Sequence, residues 1–247
     1  MISKNQLKLI RSLESKKHRK NNNLFLVQGE KNVLELFNSP FTIKHLFATT
    51  NFINKNSALL TAHNVIGKTL EASEDELKKA GTLLSNNSAL AIVECIEGKL
   101  PEIQENELIL VLDQVGDPGN LGTILRVADW YGINNVVCST DCADFYNPKV
   151  IGATMGSFAR VNVAHADLNT YLNAQTKPIY GAFLEGNNIH KTTLANSAFI
   201  VMGSESHGIS EPIEKLISDK ITIPNFGQAE SLNVAMATGI ILDNFKR

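Results

Sequence analysis

The chain has 247 residues, 43% of them hydrophobic and 19% charged, with a formal net charge of −2. This composition is typical of a globular protein, and no apolar run approaches the ~20 residues that span a bilayer. The N-terminal segment Met1–Gln6 lacks the apolar core of a signal peptide. The three cysteines, Cys95, Cys138 and Cys142, form neither a disulfide framework nor a zinc-ligand pattern. We therefore expect a cytoplasmic protein with no membrane segment and no metal site.

The net charge is unevenly distributed along the chain. Residues 1–100 carry 14 Lys and Arg against 9 Asp and Glu, a net of +5, whereas residues 101–247 carry 9 against 16, a net of −7. Within Met1–Lys31 there are 8 basic and 2 acidic residues. The asymmetry favours contact between the N-terminal part and a polyanion, although a solvated helix face can carry similar charge.

The first hundred residues are predicted to form a small α/β domain. Leu7, Ile10 and Leu13 lie on one stripe of a helix predicted over Gln6–Lys20. Three apolar runs predict strands: Leu24–Val27, Ile43–Ala48 and Ala89–Ile96. Two shorter helices are predicted, one over Glu30–Phe37 and one opened by the capping box Ser73–Glu76.

The segment 98–106 separates this part from the remainder of the chain. It is polar, contains a glycine and a proline, and has no periodicity, which indicates an interdomain linker. The predicted organisation is therefore one domain over residues 1–97, a linker over 98–106 and a second domain over 107–247.

From Glu107 onward, short apolar runs alternate with helix-like stretches. Five runs predict strands: Leu108–Leu112, Val136–Cys138, Ile179–Phe183, Phe199–Met202 and Ile221–Ile223. Runs that are apolar on both faces indicate a parallel sheet covered by helices on each side. Ligands of such sheets bind beyond the carboxyl ends of the strands, so the loops that follow the runs are the candidate site.

The first of these loops is Asp113–Asn120, which leads into a helix predicted over Leu121–Tyr131. Asn120 has the side chain of a helix N-cap, and Arg126 lies in an otherwise apolar stretch. From spacing alone, a structural cap and a surface charge explain both residues, and a role in a site is the alternative.

The second loop, Gly203–Gly208, places two glycines around Glu205, so that backbone can approach a ligand closely. It lacks the first glycine of a G-x-S-x-G elbow, which disfavours a serine hydrolase. The third loop, Ile223–Asn233, precedes a helix predicted over Val234–Phe245, with Ser231 as the expected N-cap and Asn233 in the first turn. None of the three loops contains G-x-G-x-x-G or a P-loop, so a Rossmann-type nucleotide enzyme is disfavoured.

Together the three loops resemble the motifs of the SpoU (TrmH-like) methyltransferases of the SPOUT superfamily. The matching segments are Asp117–Asp129, Val201–Ser210, Ile223–Gly227 and Glu230–Ala235, with Met155–Ser157 at the place of the family's M-G-[SA] turn. The N-terminal part is similar to the family's L30e-like accessory domain. Two departures stand out: Ser206-His207 where glycine usually follows the glutamate, and Asn225 where an apolar residue is commoner.

The resemblance implies an α/β fold whose C-terminal parallel-sheet domain is tied in a deep trefoil knot and preceded by an L30e-like domain. It also implies a homodimer and S-adenosyl-L-methionine as the cofactor. Carried over by motif position, the expected cofactor contacts are Gly203, Ile223 and Leu232. The expected catalytic group is Arg126, Asn120, Glu205, Ser231 and Asn233.

The activity that the resemblance implies is 2′-O-methylation of RNA ribose, with ribosomal RNA favoured over transfer RNA. A guanidinium does not readily give up its proton, so we expect Arg126 to bind the neighbouring phosphate and stabilise the developing alkoxide. A general-base role for Arg126 is the alternative. Glu205 is expected to orient Arg126, within the chain or from a partner subunit. The alternative function is that of a catalytically inactive SpoU-like RNA-binding protein.

Overall fold

The computed structural model describes residues 2–83 and 85–247. They form two compact units. The N-terminal unit runs to Ile96 and also contains Asp144–Ala159, and the C-terminal unit consists of Glu97–Ala143 and Arg160–Arg247. The segment Asp144–Ala159 thus lies late in the sequence and packs with the first unit, which its composition does not indicate. The domain boundaries drawn from the sequence stay a prediction.

The N-terminal unit is built on a four-stranded sheet of order β1-β4-β2-β3. Its strands are β1 Leu24–Gln28, β2 Ile43–Ala48, β3 Thr69–Glu71 and β4 Ala89–Glu94. Its first helices are α1 Lys4–Ser12, α2 Lys16–Asn22, α3 Glu30–Glu35, α4 Thr50–Lys55, α5 Ser57–Ala62 and α6 Glu74–Ala80. β4 is antiparallel to β1 and β2, whereas β3 is parallel to β2. The three strands predicted here and the capping box of α6 are confirmed.

The prediction of one helix over Gln6–Lys20 is wrong, because the chain turns between α1 and α2. The buried side chain of Arg19 explains the turn. Its guanidinium donates to the carbonyls of Leu13 and Glu14 at 2.8 and 2.7 Å, and it also pairs with Asp144. Hydrophobic periodicity cannot reveal that an arginine side chain is buried and hydrogen-bonds the end of a helix.

The C-terminal unit contains a six-stranded sheet of order β10-β8-β9-β5-β6-β7 in which every pairing is parallel, as predicted. Its strands are β5 Leu108–Leu112, β6 Asn135–Ser139, β7 Asn162–Ala166, β8 Ile179–Asn188, β9 Ala198–Met202 and β10 Asp219–Thr222. The later helices of the chain are α7 Pro118–Trp130, α8 Pro148–Thr154, α9 Leu168–Asn173, α10 Glu211–Glu214 and α11 Val234–Lys246, of which α8 belongs to the N-terminal unit. β7 was not predicted, because only Val163 and Ala164 of this edge strand are buried and its sequence has no long apolar run.

The sheet order places a switch point between two central strands. β5 and β9 are neighbours in register from Leu108↔Ala198 to Leu112↔Met202, and all residues of both strands are buried. The chain leaves β5 toward β6 on one side of the sheet and leaves β9 toward β10 on the other. The two following loops therefore diverge at the carboxyl ends of the strands, where open α/β sheets bind ligands.

The helices of the chain are short. The two longest, α7 and α11, have 13 residues each, and they pack against each other. Within residues 2–83 and 85–247, no helix combines the length and the apolar character that a membrane span requires.

Candidate active site

One side-chain amide joins the three loops that the sequence singles out. The Nδ2 of Asn233 donates to the Oδ1 of Asn120 at 2.9 Å and to the Oε1 of Glu205 at 2.6 Å. Asn120 lies in the first turn of α7, which follows the loop after β5, Glu205 lies in the loop after β9, and Asn233 lies at the start of α11. The structure thus brings together three of the five residues expected to be catalytic.

The start of α7 differs from the prediction that Asn120 caps it. Asp117 is the N-cap, and its Oδ1 accepts from the backbone N–H of Asn120 at 2.8 Å, with Pro118 at the first helical position. Asn120 lies in the first turn of the helix. Because Asp117 satisfies the exposed amide, the side chain of Asn120 is available to Asn233.

The start of α11 corrects a second expectation. Asn233, not Ser231, is the N-cap, and its Oδ1 accepts from the backbone N–H groups of Ala235 and Met236 at 3.0 and 3.4 Å. Ser231 is exposed and lies two residues before the cap. The two ends of the Asn233 amide therefore act separately, since the oxygen caps α11 and the nitrogen binds Asn120 and Glu205.

The loop after β9 is closed on itself by a pair of backbone hydrogen bonds. Ser204 and Gly208 exchange N–H···O bonds of 3.0 and 2.9 Å, and Gly208 has a φ of +68°. A Cβ placed on Gly203 would lie 2.1 Å from the carbonyl carbon of Gly208, so this position accepts only glycine. The closed loop carries Glu205 at its tip, and Ser206 and His207, the departure from the family motif, are exposed.

A cleft of about 1050 Å³ lies beside this loop. All three residues expected to contact the cofactor line it, namely Gly203, Ile223 and Leu232. Glu205 and Ser231 also line the cleft, whereas Asn120, Arg126 and Asn233 do not. The predicted site residues therefore divide into five that line the cleft and three that do not, of which Asn120 and Arg126 belong to α7 and Asn233 caps α11.

Two cleft residues were not singled out as site residues. Asn225 pins the third loop, because its Oδ1 accepts from the N–H of Gly227 at 2.7 Å and its Nδ2 donates to the carbonyl of Ala229 at 2.8 Å. Next to it, the ring of Phe226 is 93% exposed at the cleft. The departure of Asn225 from the motif was a visible signal, although the sequence does not show that the residue shapes the loop.

The cleft has an acidic lining. Its charged residues are Glu185, Glu205, Glu214, Glu230 and Lys220, and Lys220 forms an ion pair with Glu214. Four carboxylates against one ammonium create a negative potential. Such a lining suits a ligand with a positive charge better than it suits a polyanion.

Arg126 lies apart from the Asn233 contacts. It is an exposed residue of α7, one helical turn before Trp130, whose side chain is 84% exposed on the same face. In the part of the chain that the structure describes, Arg126 has no ion pair with Glu205. Glu205 accepts instead from Asn233 and from the N–H of Val234 at 3.4 Å. The expected orientation of Arg126 by Glu205 is therefore not a contact within this chain.

Two residues at the end of β6 and just after it accept hydrogen bonds from the loop after β5, and neither was predicted to have a role in the site. The N–H of Gln114 donates to the Oγ of Ser139 at 2.9 Å, and the N–H of Val115 donates to the Sγ of Cys142 at 3.3 Å. A hydrogen bond from the thiol of Cys138, with others from Ser139 and the Val115 amide, lowers the pKa of Cys142 to about 7 against the effect of its burial. The same contact with Cys142 and full burial raise the pKa of Cys138.

Comparison with known proteins assigns both parts of the chain. Residues 107–243 match the SpoU rRNA Methylase family, and residues 4–91 match the MRM3-like substrate binding domain. The chain is 30% identical over 246 residues to the 23S rRNA (guanosine(2553)-2′-O)-methyltransferase RlmP of Bacillus subtilis, an alignment that covers 97% of this chain and 96% of that protein.

Solved structures agree over the whole length. An AdoMet-bound rRNA methyltransferase from Sinorhizobium meliloti superposes with a TM-score of 0.89 at 28% identity, covering 100% of this chain and 96% of that one. A TrmH-family protein from Porphyromonas gingivalis superposes with a TM-score of 0.85 at 36% identity, covering 99% and 98%. The chain belongs to the SpoU rRNA methylase family.

Proposed function

We propose that this protein is an S-adenosyl-L-methionine-dependent RNA 2′-O-ribose methyltransferase that acts on ribosomal RNA. The observation that carries the proposal is the contact of Asn233 with Asn120 and Glu205 at the edge of the cleft. It joins three loops at the carboxyl ends of the sheet, where the fold class binds its ligands. The alternative is an RNA-binding relative without methyl transfer.

The cleft fits S-adenosyl-L-methionine in size and in charge. Its volume of about 1050 Å³ is at the upper end of small-molecule sites. Ile223 and Leu232 offer apolar contacts for the adenosine, and Gly203 offers backbone without a side chain. The carboxylates of the lining suit a sulfonium. When bound, the cofactor supplies a methyl group that is already activated.

The protein must then position a ribose 2′-hydroxyl and manage one proton. In this proposal, the guanidinium of Arg126 binds the neighbouring phosphate and stabilises the alkoxide as it develops, while phosphate or water carries the proton. Arg126 is exposed, which leaves its donors accessible to RNA. A guanidinium is a poor general base, so we place the proton elsewhere.

The remaining predicted residues order the site. Glu205 and Asn120 hold the Asn233 amide from two sides, so the loops after β5 and β9 keep one relative position. In this proposal, Asn120 and Asn233 also offer polar atoms to the ribose. Ser231 lines the cleft and is exposed, and we assign it to the hydroxyl or to the loop that carries Leu232.

We also propose a homodimer and, within the C-terminal unit, the trefoil knot of the family. Trp130 on α7 and Met236 on α11 are 84% and 63% exposed, and these two helices pack together, so their outer surface offers apolar area for a second copy. Because Trp130 shares a face with Arg126, a partner that covers Trp130 would come close to Arg126. This arrangement supports a site completed across the interface.

The choice of ribosomal RNA follows from the N-terminal unit and from the relatives. The Bacillus subtilis relative is named for a guanosine of 23S rRNA. Exposed basic residues of the first two helices are Lys4, Lys8, Arg11, Lys16, Lys17 and Lys20. They suit the phosphates of a folded RNA, which proteins read mainly through shape and 2′-hydroxyls. A cytoplasmic location matches this substrate.

Methyl transfer to RNA tests the proposal directly. Total RNA is incubated with labelled S-adenosylmethionine and wild type, Arg126→Ala or Arg247→Ala. Arg247 is a matched control, because it is an exposed arginine at the far end of α11, about 20 Å of helix away from Asn233. We expect label with wild type and Arg247→Ala and a loss of at least about tenfold with Arg126→Ala. No labelling by wild type would favour the RNA-binding alternative, and equal labelling by all three would remove the role of Arg126.

A further inference from the structure

Asp113 is a buried carboxylate that the proposed chemistry does not use. It directly follows β5, and only 3% of the residue is exposed. Its Oδ2 accepts from the backbone N–H of Ser210 at 2.7 Å, and its own backbone N–H donates to the carbonyl of Met202 at 2.9 Å. One residue thus contacts both ends of the loop Gly203–Ile209.

Burying a carboxylate costs free energy unless hydrogen bonds compensate it. Among the residues that the structure describes, no lysine, arginine or histidine pairs with Asp113. Its bond to Ser210 has the short length of a charge-assisted hydrogen bond. The buried carboxylate therefore binds the C-terminal end of the loop after β9.

The hydrogen bond between Asp113 and Ser210 affects two candidate site residues of the loop Gly203–Ile209. Ser204 and Gly208 close the loop internally through two backbone hydrogen bonds, so we expect the segment to shift as a unit when an end is released. Gly203 at its start lines the cleft, and Glu205 at its tip holds Asn233. Releasing Ser210 would change the position of both residues.

We propose that Asp113 is a positioning residue for methyl transfer, because its carboxylate fixes the loop Gly203–Ile209 so that Gly203 faces the cleft and Glu205 reaches Asn233. The inference rests on the proposed function for its link to methyl transfer. It adds a residue of the loop after β5 to the support of the cofactor cleft.

The bond can be removed from either side. Asp113→Ala deletes the acceptor, and Asp113→Asn keeps an acceptor oxygen without the charge. Ser210→Pro deletes the donor, and proline suits this position because Ser210 has a φ of −67°. Asp167→Ala is the matched control: its carboxylate also accepts from a backbone N–H at 2.7 Å in the same unit, but that N–H belongs to Thr170 of α9 and not to the loop after β9.

The readouts are the affinity for S-adenosylhomocysteine by calorimetry and amide hydrogen exchange over 203–210. We expect Asp113→Ala and Ser210→Pro to weaken binding roughly ten- to a hundredfold and to speed exchange in this loop. The double variant should be no worse than either single one, and Asp113→Asn should recover part of the affinity. Asp167→Ala should bind like wild type.

Unchanged affinity and loop exchange in a folded Asp113→Ala protein would overturn the proposal. So would faster exchange spread evenly over the C-terminal unit, because that pattern indicates a general loss of stability. If wild type binds no S-adenosylhomocysteine, the proposed function fails, while the exchange comparison still decides whether Asp113 anchors the loop.

Discussion

The side chains of Asn233 and Asn120 meet at 2.9 Å although 113 positions separate them in the chain. Both lie at the start of a helix, Asn120 in the first turn of α7 and Asn233 at the N-cap of α11. The contact therefore fixes two helix starts at the edge of the cleft. Asn233 therefore caps a helix, a common structural role of asparagine, and also supports the candidate site.

Substitution of Asn233 should separate capping from site support. Asn233→Ser keeps an oxygen that can cap α11 and removes the amide donor, so we expect near-normal stability and at least about tenfold slower methyl transfer. Asn233→Ala loses both functions and should also lower the free energy of unfolding by about 1 kcal/mol. Denaturant unfolding and a methyl-transfer assay provide the two readouts. Wild-type activity in Asn233→Ser would show that the amide donor is dispensable.

Asn120 and Asp117 should respond in opposite ways. Because Asp117 caps α7, Asp117→Ala should cost about 1 kcal/mol of stability. Asn120→Ala removes no cap, so we expect little change in stability and a large loss of methyl transfer. Thermal or denaturant unfolding, run beside the activity assay, checks both. A stability loss in Asn120→Ala as large as that in Asp117→Ala would restore the capping interpretation of Asn120.

The glycine at position 203 should be irreplaceable. A Cβ at Gly203 would meet the backbone of Gly208 at 2.1 Å, whereas the nearest atom to a Cβ at Gly227 is 3.9 Å away. We expect Gly203→Ala to abolish measurable binding of S-adenosylhomocysteine and Gly227→Ala, in the third loop, to retain it. Calorimetric titration of both variants makes the comparison. Equal affinities would show that the loop after β9 adapts freely.

The thiol pair below the loop after β5 should make stability depend on pH. Hydrogen bonding, first from Cys138, lowers the pKa of Cys142 to about 7 in the folded protein, below its ordinary value. A lowered pKa means that the contribution to stability is lost as pH falls toward 7 and is gained as pH rises toward the unfolded value of about 8.5.

We therefore expect the free energy of unfolding of wild type, relative to Cys142→Ser, to increase over this interval by at most about 1.4 kcal/mol per pH unit. Above it, the raised pKa of Cys138 opposes further gain. Denaturant unfolding at several pH values measures the difference. A constant difference between the two proteins across the interval would contradict the lowered pKa of Cys142.

Much of the sheet was predictable because its signal is local. The strand Leu108–Leu112 has the predicted bounds, and the parallel arrangement follows from runs that are apolar on both faces. The edge strand Asn162–Ala166 was missed because only two of its residues, Val163 and Ala164, are buried. Hydrophobic patterning predicts buried strands, and it predicts the central strands of a sheet better than the edge strands.

The sequence indicated candidate site residues, but it did not indicate the hydrogen bonds that these residues make. Gly203, Ile223 and Leu232, the cofactor contacts that the resemblance implies, line one cleft, and their contact with the cofactor stays a prediction. The capping roles of Asn120 and Ser231 were wrong, because several polar residues near each helix start can serve as the cap and only geometry selects one. The anchor between Asp113 and Ser210 joins positions 97 apart and leaves no pattern in the sequence.

Mapping of ribose methylation in ribosomal and transfer RNA tests the central claim most directly. RNA from a strain that lacks the gene is compared with RNA from the same strain complemented by wild type or by Arg126→Ala. We predict a 2′-O-methyl group in ribosomal RNA that is absent in the deletion, restored by wild type and not restored by Arg126→Ala. Identical methylation profiles in the deletion and the wild-type strain would contradict the assigned function.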